Sequence, residues 1–204
     1  MKSVPFFDLW KFERRLRRQG LGRIAGVDEA GRGPLAGPVV AAAVMFPAGF
    51  VDSRIHDSKR LDARRREDLV PVITGAAVSW AVAESSEAEI DALNILQATL
   101  CAMERAVAAL PTSPDYVLVD GSIMPGIPVP GEAVIGGDGR IACIAAASIL
   151  AKVHRDRLMQ AHHERWPVYG FNGNKGYGTA AHLAALAKHG PCPIHRRSFR
   201  HVLP

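Results

Sequence analysis

Short runs of apolar residues, each bounded by glycine, proline or an acidic residue, recur along the chain and are typical of buried strands. They predict strands over residues 24–28, 39–46, 77–83, 116–120 and 133–135. The first two runs are separated by Gly33-Pro34 and Gly37-Pro38, which favour a compact turn. The first two strands should therefore pair antiparallel.

Between and after these runs, apolar residues recur at spacings of three and four, as in amphipathic helices. The longest such segment predicts one helix over 87–110, and others predict helices over 61–73, 141–165 and 179–188. Residues 171–178 form a glycine-spaced loop, and residues 6–20 predict a short amphipathic helix packed on the domain. Strand–helix units of this kind predict an α/β domain with a mixed sheet.

The chain has 204 residues, of which 48% are hydrophobic and 22% are charged. This size allows one domain with a full core. We divide it into an N-terminal extension (1–22), expected to be helical, a main domain (23–190) and a basic C-terminal tail (191–204). Three scattered cysteines favour neither a disulfide framework nor zinc, so we expect a reducing, cytoplasmic setting. No apolar run approaches the roughly 20 residues of a membrane span, so no membrane contact is expected.

The net charge of +5 is unevenly distributed. From Gly139 onward there are ten lysines and arginines but only two acids, whereas residues 1–138 carry fifteen basic and eighteen acidic side chains. Such an asymmetry is compatible with a merely solvated basic face. It also suits a protein whose basic lobe binds a polyanion while an acidic cluster acts locally.

Four acids are notable because of where they fall. Asp28 and Glu29 end the first strand, Asp120 ends the fourth, and Asp138 lies in a glycine-rich turn before a helix. Adjacent strand residues point to opposite faces, so Glu29 must either turn over the sheet edge or offer its backbone carbonyl. Asp120 could equally serve a turn and Asp138 a helix cap. If the first and fourth strands are parallel neighbours, Asp28 and Asp120 meet at one edge.

Converging carboxylates repel one another, so a site made of them needs cations or raised pKa values. Oxygen ligands favour magnesium or manganese over zinc. Two such ions about 4 Å apart are suited to attack on a phosphodiester.

Several other groups suit a nucleic acid. Ser58 and Lys59 precede a helix, where they could hold a phosphate, and Lys152 and Arg155 share a later helix. Tyr177 is displayed between glycines and could lie on a sugar or base. A tyrosine buried in the core would show the same sequence pattern. Ser148, in an alanine-rich helix, is interpreted as a small packing residue.

The motifs together resemble the type 2 ribonucleases H, specifically the bacterial ribonuclease HII family. The resemblance extends from Ile24 to Phe199 and rests on the following segments: Gly26-Val27-Asp28-Glu29-Ala30-Gly31-Arg32-Gly33-Pro34-Leu35-Ala36-Gly37-Pro38-Val39, Asp57-Ser58-Lys59, Asn94-Ile95-Leu96, Asp120-Gly121, Ala146-Ala147-Ser148-Ile149-Leu150-Ala151-Lys152-Val153, Arg155-Asp156, Lys175-Gly176-Tyr177 and His195-Arg196-Arg197-Ser198-Phe199.

This resemblance implies a ribonuclease H-like mixed five-stranded sheet flanked by helices, with a small helical C-terminal extension. It implies that Asp28, Glu29, Asp120 and Asp138 are the catalytic, metal-binding acids, holding two manganese or magnesium ions. It also implies that Gly31, Arg32 and Gly33, together with Tyr177, recognise the RNA–DNA junction.

The function expected from residues and resemblance is an endonuclease that acts on RNA–DNA hybrids and on ribonucleotides embedded in duplex DNA. The family suggests a monomer. A nucleic-acid binding module without chemistry would explain the basic lobe but not the four acids. A recombinase of similar fold would use clustered acids, but the Gly31-Arg32-Gly33 and Lys175-Gly176-Tyr177 segments argue against it.

Overall fold

A five-stranded sheet lies at the centre of the structure, a computed structural model that describes residues 8–203. Its strands, in chain order, are β1 (Ile24–Ala30), β2 (Val39–Met45), β3 (Ser79–Ser85), β4 (Tyr116–Asp120) and β5 (Gly131–Val134). Their spatial order is β3-β2-β1-β4-β5. β1 pairs antiparallel with β2, as predicted, and β2 pairs antiparallel with β3. β1–β4 and β4–β5 are parallel, so the sheet is mixed.

Helices cover both faces of this sheet. They are α1 (Lys11–Arg18), α2 (Ala63–Ala76), α3 (Glu87–Leu93), α4 (Ile95–Ala108), α5 (Ala142–Arg165), α6 (Phe171–Asn174) and α7 (Ala180–His189). In β2, Val40 and Val44 face the core under α1, α2 and α5, whereas Val39 and Ala41 face the core under α3 and α4. Because β2 is buried on both faces, its sequence is a continuous apolar run rather than an alternating one.

Gly26 sets the distance between β1 and α5. A Cβ atom at this position would lie 2.2 Å from the carbonyl carbon of Cys143, so only glycine lets helix and strand approach this closely. The long helix then runs alongside the strand that carries Asp28. The packing thereby brings the side chains of α5 to the carboxyl end of β1.

The single helix predicted over 87–110 is wrong, because the segment forms two helices that meet at Asn94. Asn94 has a positive φ of 74°, and its side chain accepts hydrogen bonds from the amides of Leu96 and Gln97. It therefore ends α3 and caps α4. The apolar spacing continues across the break, so periodicity alone did not show it.

The other differences are at element ends. β3 starts two residues later than predicted and β5 starts at Gly131, while α6 forms within the predicted loop over 171–178. The N-terminal helix predicted over 6–20 is observed as α1, and residues 6 and 7 lie outside the described residues. Within residues 8–203, none of the helices combines the length and apolar character needed to span a membrane.

Candidate active site

Three carboxylates converge at the edge of the sheet where β1 and β4 end. Oxygen atoms of Asp28, Asp120 and Asp138 all lie within 4.8 Å of one another. The parallel pairing of β1 with β4 brings the first two together. Asp138 lies in a 3₁₀ turn over Gly137–Gly139, and the Gly137 amide donates to Asp120 Oδ1 at 2.6 Å. The strand end thus positions the turn that supplies the third acid.

Glu29 lies next to this cluster but its carboxylate is not one of the three that meet. Its Oε1 is 3.7 Å from Nη1 of Arg32, which is half exposed. Burial raises the pKa of Glu29, the charge of Arg32 opposes that rise, and the charge of Asp120 adds to it. Its side chain is thus close enough to interact with the cluster electrostatically, while Asp28, Asp120 and Asp138 form its centre.

The cluster carries more negative charge than its surroundings compensate. Burial, together with the charges of Glu29 and Asp120, raises the pKa of Asp28 well above its ordinary value. Burial and the charge of Asp138 raise the pKa of Asp120. Lys59 Nζ lies 2.8 Å from Asp138 Oδ2. Three carboxylates with this little compensation suit a hard divalent cation, such as magnesium or manganese.

Ser148 does more than fill space, contrary to its interpretation as a packing residue. Its hydroxyl is buried 2.8 Å from the hydroxyl of Ser58, and its interaction with the carboxylate of Asp28 opposes part of the rise in the pKa of that acid that burial causes. Ser58, suggested by the sequence as a phosphate contact, is itself buried in this pair. Ser58 therefore pairs with Ser148 beside Asp28, and little of it is exposed to the cavity.

The loop over residues 31–38, here called the Gly-Pro loop, is held by two buried arginines. Arg155, expected to contact phosphate, is only 1% exposed. It donates instead to the carbonyls of Ala36, Pro38 and Lys175, at 3.0–3.1 Å. Arg155 thus positions the loop rather than facing a substrate.

Arg196 completes the support of the Gly-Pro loop. It is fully buried and donates to four carbonyls of the loop, those of Gly31, Arg32, Gly37 and Pro38, at distances of 2.6–3.2 Å. Burial and the charge of Arg155 lower the pKa of Arg196 to about 9. Gly31 has a φ of +100°, and a Cβ there would lie 2.1 Å from Arg155 Nε. The positive φ and the closeness of Arg155 therefore require glycine at this position.

Tyr177 lies beside the Gly-Pro loop. Its side chain is half exposed, and a Cβ placed on Gly33 would be 3.5 Å from its ring. The Leu35 amide donates to the Gly176 carbonyl at 2.8 Å, which fastens the two loops together. The structure thus brings the Gly-Pro loop and Tyr177 together.

A chain of buried histidines fixes the backbone at Tyr177. The Cys192 amide donates to His195 Nδ1 at 3.0 Å, so the proton of His195 is on Nε2 and points at His182 Nε2, 3.0 Å away. His182 then carries its proton on Nδ1 and donates to the Tyr177 carbonyl at 2.9 Å. One tautomer of each ring satisfies the whole chain.

One open cavity of about 270 Å³ joins these parts. Lys152 lies in its wall, 2.5 Å from Asp156. Apart from Asp138, all the predicted site residues line the cavity: Asp28, Glu29, Gly31, Arg32, Gly33, Ser58, Lys59, Asp120, Lys152, Arg155 and Tyr177. Sequence reasoning missed the roles of Arg196, Ser148 and the two histidines. Arg196 and His195 lie in a motif of the resemblance, but no local pattern shows that a side chain is buried.

The fold and the site together define a ribonuclease H-like hydrolase. The sequence profile described as Ribonuclease HII matches residues 25–202. Ribonuclease HII of Syntrophotalea carbinolica is 55% identical over 191 residues, which cover 94% of this chain and 91% of that protein. Ribonuclease HII of Moorella thermoacetica is 53% identical, with 95% and 94% covered. The crystal structure of ribonuclease H2 from Pyrococcus horikoshii is similar with a TM-score of 0.77 and 26% identity, over 88% of this chain and 95% of that one.

These matches cover nearly the whole chain, so the protein belongs to the ribonuclease HII family. It is a ribonuclease H, a hydrolase of a family that depends on divalent metal ions and acts on RNA–DNA hybrids. The mixed five-stranded sheet flanked by helices is the predicted ribonuclease H-like fold.

Proposed function

We propose that the protein cuts a DNA duplex on the 5′ side of a single embedded ribonucleotide, leaving a 3′-hydroxyl and a 5′-phosphate. The observation that carries this proposal is the fixed contact between the Gly-Pro loop and Tyr177 at the mouth of the acidic cluster. A 2′-hydroxyl is the only mark that separates one ribonucleotide from its deoxy neighbours. Its recognition needs polar groups held rigidly near the backbone.

The Gly-Pro loop can supply such groups. Arg196 donates to the carbonyls of Gly31 and Arg32, so both carbonyls point towards its guanidinium. Within residues 8–203, the amides of Arg32 and Gly33 donate to no protein acceptor. Gly33 has no side chain to hold a ligand away. We infer that these amides meet the 2′-hydroxyl.

Tyr177 would then pack against the sugar that follows the ribonucleotide. A 2′-hydroxyl on that sugar would crowd the ring, so a deoxynucleotide should be preferred there. The tyrosine would thus select the junction between RNA and DNA, while the loop selects the ribonucleotide.

Asp28, Asp120 and Asp138 would hold the metal, with Glu29 as a further ligand through its side chain or its carbonyl. We propose two ions, manganese or magnesium, as the functional complement. When bound, such ions supply an activated water and stabilise charge on the phosphate. The acids would fix the position of these ions.

Lys59 and Lys152 remain the proposed phosphate contacts. Lys59 is largely exposed beyond its contact with Asp138, and Lys152 lies in the cavity wall. We further propose that the protein acts as a monomer in the cytoplasm.

The test is cleavage of labelled duplexes by Tyr177→Ala and Tyr177→Phe. On a duplex with one ribonucleotide, Tyr177→Ala should lose far more activity than Tyr177→Phe, because phenylalanine retains the ring that packs on the sugar. A long RNA–DNA hybrid serves as the matched substrate, with all-DNA and all-RNA duplexes as blanks, each with and without magnesium. Wild-type protein that cut the hybrid but left the single ribonucleotide intact would overturn the substrate choice. Binding without cleavage of any substrate would indicate a non-catalytic module.

A further inference from the structure

A second cavity, which shares no lining residue with the first, lies between α1 and the start of α5. It measures about 350 Å³ and is lined by Asp8, Lys11, Phe12, Arg15, Arg18, Arg140 and Ile141. The Ala142 amide donates to the Leu9 carbonyl at 3.1 Å, and the Cys143 amide donates to Glu13 Oε1 at 2.8 Å. These bonds fix α1 against α5, so the cavity, here called the α1 pocket, has rigid walls.

The α1 pocket is strongly basic. Lys11, Arg15, Arg18 and Arg140 are all exposed, and none of them forms an ion pair within residues 8–203. The acid in the wall, Asp8, is already paired with Arg14, outside the pocket lining. Four cations around one cavity repel one another in the free protein, and an anion in their midst would relieve that repulsion.

Two of these cations, Arg15 and Arg140, are held by neighbouring groups of the protein. Phe12 and Ile141 add apolar surface to the pocket lining, and the guanidinium of Arg15 lies over the Phe12 ring at 4.3 Å from its centre. Arg140 is held by a hydrogen bond from Nη1 to the Ile135 carbonyl at 3.2 Å. Arginines fixed by one contact can still present their remaining donors to phosphate oxygens.

The α1 pocket is also close to the chemistry. Arg140 follows Asp138 by two residues, so their Cα atoms are at most about 7.6 Å apart. The turn that carries a metal-binding acid therefore also carries one wall of the pocket. A double helix that places its scissile phosphate at the acids would extend beyond them, with one negative charge for every ~1.7 Å of its axis.

We propose that the α1 pocket binds the phosphate backbone of the substrate duplex beyond the cleavage site, as a second anchoring contact. This inference rests on the proposed function of the acidic cluster, because the same duplex must reach both. The contact is electrostatic and independent of base sequence. It would set how tightly and in which direction the duplex lies, without touching the reacting atoms.

The experiment measures binding of a labelled RNA–DNA hybrid by fluorescence anisotropy, in EDTA and over a series of salt concentrations. The variant is Arg15→Gln, Arg18→Gln and Arg140→Gln combined. The matched control is Arg23→Gln, Arg54→Gln and Arg105→Gln, which removes the same charge from three exposed arginines already paired with acids. Each lost phosphate contact should lower the slope of log affinity against log salt by about 0.9.

The combined variant should lower this slope by about 2.7 and weaken binding by on the order of tenfold or more, while the control changes it far less. Arg140→Gln alone leaves α1 untouched and should lower the slope by about 0.9. Equal slopes in variant and control would overturn the proposal. Because no cleavage is measured, an error in the proposed substrate choice would appear only in the cleavage assay with wild-type protein.

Discussion

Asp120 combines two tasks at the level of a single residue: it supplies charge to the cluster and accepts the amide that positions the turn of Asp138. In Asp120→Asn the amide oxygen can still accept from Gly137, so the geometry should persist. The missing charge should cost several kcal/mol of transition-state stabilisation, on the order of a thousandfold in rate. Cleavage of an RNA–DNA hybrid under single-turnover conditions measures this loss.

The same variant separates chemistry from folding. Because carboxylate repulsion is relieved, the melting temperature of metal-free Asp120→Asn should equal or exceed that of the wild type. Glu132→Gln, on the neighbouring strand β5, is the control and should retain normal cleavage. An Asp120→Asn protein with normal activity would remove this residue from the active site.

His195 makes the fold sensitive to acid. Burial and the neighbouring His182 lower the pKa of His195 to about 4, from an ordinary value of 6.5. Between these values the unfolded chain binds a proton that the folded protein does not, so stability is complete above pH 6.5 and is lost as the pH falls towards 4. Because of His195, the free energy of unfolding should fall by roughly 1 kcal/mol for each pH unit between pH 6.5 and 4.

Urea unfolding of wild type and His195→Gln at several pH values tests this contribution. The variant should be less stable at pH 7, because it breaks the histidine chain to Tyr177, but its stability should fall less steeply with acid. His189→Gln, on the exposed end of α7, is the control and should follow the wild type. Parallel curves for all three proteins would contradict the assignment.

At the level of secondary-structure elements, the contact of β1 with α5 determines where the acids lie. Gly26→Ala would place a methyl group 2.2 Å from the Cys143 backbone, so strand and helix must separate. We expect a loss of about 3 kcal/mol or more in the free energy of unfolding. Gly75→Ala, at an exposed position of α2 with no atom near the new Cβ, should instead gain up to about 1 kcal/mol. Thermal or urea unfolding of the two variants compares them directly.

The elements also show what the sequence could predict. β2 and β4 were found because buried strands are continuous apolar runs, and the acids at strand ends were found because Asp120 directly follows such a run. The break at Asn94 was missed because a residue with positive φ interrupts the backbone while the apolar spacing continues. Periodicity reports which side chains are buried, whereas a helix break depends on one backbone angle.

At the level of the whole molecule, the buried arginines were beyond sequence reasoning. Arg155 shares a helix with Lys152, and charge alone suggested the same role for both. Arg196 lies in a basic tail, and the charge of that tail predicts a surface exposed to solvent. Their burial depends on the carbonyls of a loop that is 158 to 165 residues earlier in the chain than Arg196. Only the folded chain brings these donors and acceptors together.

Arg196→Lys tests this long-range support. Lysine keeps the charge but cannot donate to four carbonyls in a fixed plane. Since buried carbonyls would lose their partners, we expect a loss of about 3 kcal/mol or more in stability. Cleavage at a single ribonucleotide should fall further than the folded fraction explains. Arg197→Lys, the exposed neighbour, is the control, and equal effects of the two substitutions would contradict a positioning role for Arg196.

The bond between Arg196 and Gly31 has a consequence for biosynthesis. A growing polypeptide holds Gly31 long before residue 196 has been added. Until then four carbonyls of the Gly-Pro loop lack their donor, although the sheet around them can already form. A nascent chain therefore carries the acids of the nuclease before it carries the rigid loop that would choose where to cut.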